Sequence, residues 1–200
     1  MDTYKTISSP APEVLIKEKK SKFYGYAFPI TTEEEVKPII AKLKKKHHGA
    51  VHFCYAYQLG EENSSFRVND DGEPGNSAGA PIYGQIQSFN LTNVLVVVVR
   101  FYGGVKLGIG GLMAAYKLAA HSTLDGGEII ERTIDVHFIL TFDYKHLNKI
   151  MHIIKEKNLK IITQNLAMEC EIEVASRKKN QQLILNTFNE LYEVKTKLKT

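Results

Sequence analysis

The run Val94-Leu95-Val96-Val97-Val98-Val99, closed by Arg100 and then by Phe101-Tyr102-Gly103-Gly104, constrains this chain more than any other feature. Branched side chains are stiff at χ1 and pack well on a pleated surface, and a short unbroken apolar run with polar and glycine borders reads as a buried strand. It falls far short of the roughly 18 apolar residues of a membrane-crossing helix. The chain is therefore expected to be built on a sheet. With 44% hydrophobic and 24% charged residues among 200, its composition is that of a globular protein and excludes disorder. Cys54 and Cys170 stand far apart with no C-x-x-C pair, which argues against a disulfide scaffold or a zinc knuckle. The first residues, with Asp2, Lys5, Ser8 and Pro10, lack an apolar secretory segment, so a cytoplasmic protein with no membrane association is expected.

Glycine divides the chain. All 14 glycines fall at or before Gly127, and Asp125-Gly126-Gly127-Glu128 reads as a turn, which predicts two domains, residues 1–130 and 131–200. In the first, Phe23 to Ile30 reads as a strand. Thr32 and Glu35 form a capping-box signature ahead of a helix with the stripe Val36, Ile39, Ile40 and Leu43. His52 to Leu59 alternates, and Phe53, Tyr55, Tyr57 and Leu59 are expected to form its one core face. A polar, glycine-rich stretch from Gly60 to Gly79 follows, then the Val94 strand, a glycine loop, and a helix from about Gly111 to Leu124. Residues 131–200 read as strand, helix, two strands, helix, strand, a βαββαβ order that predicts a ferredoxin-like domain. The fold class is α+β.

Several motifs invite chemistry. Gly75-Asn76-Ser77-Ala78-Gly79 matches a nucleophile elbow, but the preceding Asp70-Asp71-Gly72-Glu73-Pro74 is no hydrophobic strand, so Ser77 reads as a turn or cap residue. The loop Gly103-Gly104-Val105-Lys106-Leu107-Gly108-Ile109-Gly110-Gly111 joins strand to helix, where bare N–H groups can hold an anion. Its spacing fits neither the dinucleotide fingerprint, which meets Met113, nor the P-loop, which meets Ile109. The acids Asp70, Asp71 and Glu73 lack EF-hand spacing and read as a turn. His47, His48, His52 and Cys54 offer no second tight pair for zinc, and His52 is left as a polar group on a strand face. No cofactor or metal is expected. The net charge of +4 is too small to announce a nucleic-acid binder by itself. Lysines gather at 17–22 and 42–46, however, and Arg100, Phe101, Tyr102 and Lys106 make an aromatic and cationic strand end of a kind that can stack on single-stranded nucleic acid.

Ser21-Lys22-Phe23, His52-Phe53-Cys54-Tyr55-Ala56, Asp70-Asp71-Gly72-Glu73-Pro74 and Ser77-Ala78-Gly79-Ala80-Pro81 precede Val96 to Arg100, Phe101 to Gly108 and Gly110-Gly111-Leu112. This ordered set resembles the signature of the YigZ/IMPACT family. The resemblance implies an N-terminal domain similar to domain IV of elongation factor G and to a domain of a small-subunit ribosomal protein. It also implies a C-terminal domain similar to that factor's domain V. In eukaryotic relatives the N-terminal domain is a translational regulator that competes for the activator of a starvation-responsive kinase. The chain departs from the pattern at Ala114, usually arginine, which removes a cation from the helix after the glycine loop. The expectation is a non-catalytic, translation-associated protein that binds RNA, the ribosome or a translation factor. The contacts expected are His52, Asp70, Asp71, Glu73, Arg100, Phe101, Tyr102, Gly103, Gly104, Lys106, Gly108, Gly110 and Gly111. A protein-interaction module without nucleic-acid binding is the alternative, and a hydrolase using Ser77 a third.

Overall fold

The computed structural model describes residues 2–61 and 64–199. It divides the chain into two compact units, one running Tyr4–Arg132 and the other from Thr133 onward with Asp2 and Thr3. Both are mixed α+β.

In the first unit the elements run β1 (Thr3–Ile7), β2 (Val14–Glu18), β3 (Ser21–Pro29), α1 (Val36–Lys46), β4 (His52–Leu59), β5 (Ser65–Asn69), α2 (Gly79–Ser88), β6 (Val94–Phe101), α3 (Gly108–Asp125) and β7 (Ile129–Thr133). Five strands form one sheet in the order β2-β3-β6-β4-β5, antiparallel throughout, while β1 pairs with β7. The apolar run is the middle strand of that sheet, and alternation sends its side chains to two separate cores. Val94, Val96 and Val98 join Phe23, Cys54, Ile82, Leu112 and Tyr116 on the side of α2 and α3. Leu95, Val97 and Val99 join Tyr26, Val36, Leu43, Phe53 and Tyr57 on the side of α1. A strand covered on both faces has no position for a polar residue, which is why the run is unbroken until Arg100.

The same sandwich corrects the single core face expected of β4. Phe53, Tyr57 and Leu59 are buried toward α1, but Cys54 and Ala56 are fully buried toward α2 and α3. The hairpin β2–β3 carried no sequence signal, because its turn is Lys19-Lys20. Both lysines sit at positive φ, 43° and 68°, where Asn-Gly is the usual pair. The capping box is present, with the Thr32 N–H donating to Glu35 Oε1 at 3.1 Å. Pro38 lies in the first turn of α1. The polar stretch after Gly60 contains β5, and α3 begins at Gly108, three residues earlier than expected.

The second unit comprises β8 (Asp135–Asp143), α4 (Leu147–Glu156), β9 (Lys160–Leu166), β10 (Glu169–Arg177), α5 (Gln181–Asn189) and β11 (Val194–Lys199). Its antiparallel sheet has the order β11-β8-β10-β9, the ferredoxin-like arrangement. Phe138, Leu140, Ile150, Ile154, Ile172, Val174, Ile184 and Phe188 form its core. The Asp2 carbonyl accepts the Ile134 N–H at 2.8 Å. Among the described residues no helix is long and apolar enough to cross a membrane.

Candidate binding cleft at the end of the central strand

Arg100 ends the apolar run of β6 and still points into the core. Its side chain is 6% exposed, and its Nη1 donates to Glu73 Oε1 at 2.6 Å, a carboxylate only 3% exposed. Two ions taken out of water are costly unless paired, so each residue holds the other in place. The cation at this strand end is buried because Glu73 is folded back over it. The guanidinium also lies over the Phe23 and Tyr102 rings, 5.5 and 5.4 Å from their centroids.

The loop that delivers Glu73 is built by its own acids. Asp70 Oδ1 accepts the N–H groups of Ala78 at 3.0 Å and Gly79 at 2.8 Å, and Oδ2 accepts that of Asn76 at 2.9 Å, so Asp70 caps the entry to α2. Asp71 Oδ2 accepts the Phe53 N–H at 2.7 Å, and the Asp71 carbonyl bonds His52 Nδ1 at 2.8 Å. Through these bonds to backbone, both carboxylates help to hold the loop in place. Ser77 is fully buried and its hydroxyl donates to the Pro74 carbonyl at 2.6 Å, a turn bond as expected.

From Glu73 a polar chain runs inward. The Tyr116 hydroxyl donates to Glu73 Oε1 at 2.7 Å, and the Cys54 thiol lies 3.3 Å from the Tyr116 oxygen and 3.0 Å from the Asp70 carbonyl. Burial pushes the Cys54 thiol and the Tyr116 phenol well above their ordinary values, so both stay protonated. Sequence reasoning missed Tyr116 and Cys54 as partners of the site. Tyr116 lies on the apolar face of α3 with Leu112 and Ala119, and nothing in the pattern separates it from core.

Beside this network opens a cleft of 460 Å³ lined by His52, Glu73, Pro74, Arg100, Tyr102, Lys106, Leu107, Gly108, Ile109 and Leu112. Thus His52, Glu73, Arg100, Tyr102, Lys106 and Gly108, widely spaced in sequence, meet in one place. His52 Nε2 stands 3.8 Å from Glu73 Oε1. Phe101 does not join them. Strand alternation turns it to the opposite face, where its ring meets Tyr24 and His47 at 5.7 and 5.8 Å. Gly103 packs on the β2–β3 hairpin, and a Cβ there would stand 2.1 Å from the Lys20 carbonyl carbon. Its N–H donates to Ser21 Oγ at 3.2 Å. Gly104 and Gly108 take φ of 82° and 74°, which turns the chain from strand to helix; Gly110 and Gly111 lie in the first turns of α3. Ile109 and Met113, one turn apart on α3, are both exposed, as are Tyr102 and Val105. Among the described residues no group of three His, Cys, Asp or Glu gathers in a way that could hold a metal.

Residues 19–124, which contain the cleft, match the Impact N-terminal domain. The IMPACT family member YvyE of Bacillus subtilis is 30% identical over 199 residues, covering 100% of this chain and 91% of its own length. The IMPACT family member YigZ of Escherichia coli is 30% identical over 158 residues, 78% of each chain. A crystal structure of a hypothetical protein matches with a TM-score of 0.75 at 25% identity, over 98% of this chain and 97% of the other. The match over the cleft-bearing unit and the near full-length similarity to YvyE together place this chain in the IMPACT family.

Proposed function

We propose that this protein is a non-catalytic, translation-associated regulator that contacts ribosomal RNA through the edge made by the β2–β3 hairpin tip and residues 102–111. The observation that carries the reading is a basic rim. Lys17, Lys19, Lys20 and Lys22 are exposed, the Lys20 backbone packs on Gly103, and Lys106 is exposed in the adjoining loop. Clustered lysines next to a half-exposed tyrosine suit a phosphate backbone with unstacked bases. The family resemblance supplies the link to translation, and with it a cytoplasmic location. The reading as non-catalytic is supported by Ser77, whose hydroxyl is buried and spent on a carbonyl.

Association with ribosomes and with short single-stranded RNA, titrated with salt, tests this. Binding that falls steeply with salt is expected, and the Lys20→Glu, Lys22→Glu double variant should reduce the slope by about one for each lysine. A second reading, a protein-interaction module, is favoured by exposed Tyr102, Val105, Ile109 and Met113. A partner retained at high salt and after nuclease treatment, with no RNA bound at low salt, would replace the first reading by the second.

A further inference from the structure

The apolar face of α3 is not covered along its whole length. Ile109, Leu112 and Tyr116 stand at i, i+3 and i+7, on one face of the helix. Tyr116 is fully buried and Leu112 is 6% exposed, whereas Ile109 is 59% exposed, so the core-facing stripe is left open at its first position. The cleft lies there, with Ile109, Leu112, Leu107, Pro74 and Tyr102 in its wall. The charges in its lining cancel each other, Arg100 Nη1 standing 2.6 Å from Glu73 Oε1. The cleft therefore presents hydrocarbon, and its 460 Å³ lies in the range of sites that take an organic group, about 300–1,000 Å³.

The apolar surface continues outside the cleft. Val105 on the adjoining loop and Met113, one turn on from Ile109, are exposed together with Tyr102, and large apolar side chains left uncovered in one place mark a contact with another molecule. Aromatic residues and Met are enriched where proteins meet, and the energy of such contacts is concentrated in apolar anchors that fill pockets. Charge selects the kind of segment that suits this one. From Pro74 to Leu124 the chain has no Asp or Glu, while Lys106 lines the cleft and Lys117 is exposed two turns along α3 from Ile109. Lys20 extends the same rim, since its backbone packs on Gly103, and on that hairpin Glu18 is the single acid against Lys17, Lys19, Lys20 and Lys22. Among the described residues none of Lys20, Lys106 and Lys117 has an ion-pair partner.

From this arrangement we infer that the cleft is the docking site of an acidic segment of a partner protein, which inserts one bulky apolar side chain between Tyr102 and α3 while its carboxylates face Lys20, Lys106 and Lys117. The inference rests on the protein-interaction reading of this edge and not on the RNA contact, because a hydrocarbon wall offers nothing to a phosphate backbone. A neutral apolar segment would leave the lysines without partners, and an acidic segment without an anchor would leave the wall in water. Complementary charge speeds encounter and selects the partner, and the buried anchor supplies most of the affinity.

The test is selection of short random peptides displayed on phage against the full chain, followed by fluorescence-anisotropy titration of the peptides recovered. A recurring Leu, Ile, Phe or Trp flanked by Asp or Glu is expected, and changing that apolar residue to Ala should weaken binding by about thirtyfold. Three variants of the protein locate the contact. Ile109 is exposed at the second position of α3, where a carboxylate is favourable to the helix, so Ile109→Glu should fold and yet weaken the peptides by about tenfold or more. Lys106→Glu changes an exposed rim charge and should weaken them at low salt, with the difference closing as salt rises. Leu118→Glu, at a side chain 51% exposed on the opposite side of α3, should change nothing. No enrichment, enrichment of basic peptides, or binding unchanged in Ile109→Glu overturns the inference. Peptides lost in Leu118→Glu and kept in Ile109→Glu overturn the cleft and leave the protein-interaction reading standing. If no peptide is selected and Ile109→Glu abolishes binding of short single-stranded RNA at every salt concentration, the cleft holds a base and both are overturned. If no peptide is selected and sedimentation shows a dimer that Ile109→Glu dissociates, the occupant is a second copy of this chain and the inference falls. Peptide binding that follows the three variants as expected, with no RNA or ribosome association at low salt, upholds the inference and ends the RNA contact.

Discussion

Replacing Arg100 by methionine is the perturbation that most directly tests how the cleft is held together. Methionine roughly fills the space of the side-chain stem but removes the guanidinium that sits 2.6 Å from Glu73 Oε1. Glu73 is then a carboxylate 3% exposed, left with the Tyr116 hydroxyl at 2.7 Å and His52 at 3.8 Å. Breaking a buried pair by removing one partner costs about 3–5 kcal/mol, because the survivor is an uncompensated buried charge. Glu73→Gln removes the other charge, keeps an acceptor for Tyr116, and should cost a comparable amount. In the double variant no buried ion remains, so its cost should fall about 2 kcal/mol short of the sum of the singles. Native-state hydrogen exchange of the β4 and β6 amides reports the opening of this unit specifically, and urea unfolding followed by circular dichroism gives the midpoints. A cost below about 1 kcal/mol for Arg100→Met, or additivity within about 0.5 kcal/mol, would refute the reasoning.

Other consequences are open to measurement. Gly103→Ala should cost about 3 kcal/mol or more, because its Cβ would stand 2.1 and 2.2 Å from the Lys20 carbonyl carbon and oxygen, backbone atoms that cannot rotate away; a midpoint within error of the wild type would contradict the packing. Burial holds His47 below its ordinary value against the opposing pull of Glu13, so the unfolded chain binds the proton more readily. Stability should therefore be lost as pH falls below about 6.5, by at most ~1.4 kcal/mol per pH unit, and His47→Phe should remove that part of the acid slope; an identical slope in both proteins would sink the assignment. With its thiol buried and kept protonated, Cys54 should resist a thiol reagent until the protein unfolds, and rapid labelling of Cys54 in the native protein would contradict its place in the network.

Parts of this structure were legible residue by residue. The unbroken valine run reads as a buried strand, and the alternation of the last 70 residues between strand and helix periods carries the ferredoxin-like order. The capping box at Thr32 and Glu35 and the turn role of Ser77 follow from local chemistry and are found as expected. The β2–β3 hairpin was not legible, since a Lys-Lys turn at positive φ carries no Asn or Gly to announce it. The second core face of β4 was hidden too, because Cys54 and Ala56 are small and flanked by His52 and Gln58.

What the sequence by itself determined is the identity of the elements and the ordered set of residues that marks the family, because both depend on spacing along the chain. What only the tertiary structure decided is which of those residues meet. Arg100 lies 27 positions from Glu73, and Ser21 lies 82 from Gly103. Their contacts arise because β6 lies between β3 and β4 and ends beside the loop that follows β5. The same placement makes Arg100 half of a buried ion pair. Desolvation lets a charge stay inside a protein only with its partner, and the partner was supplied by the fold.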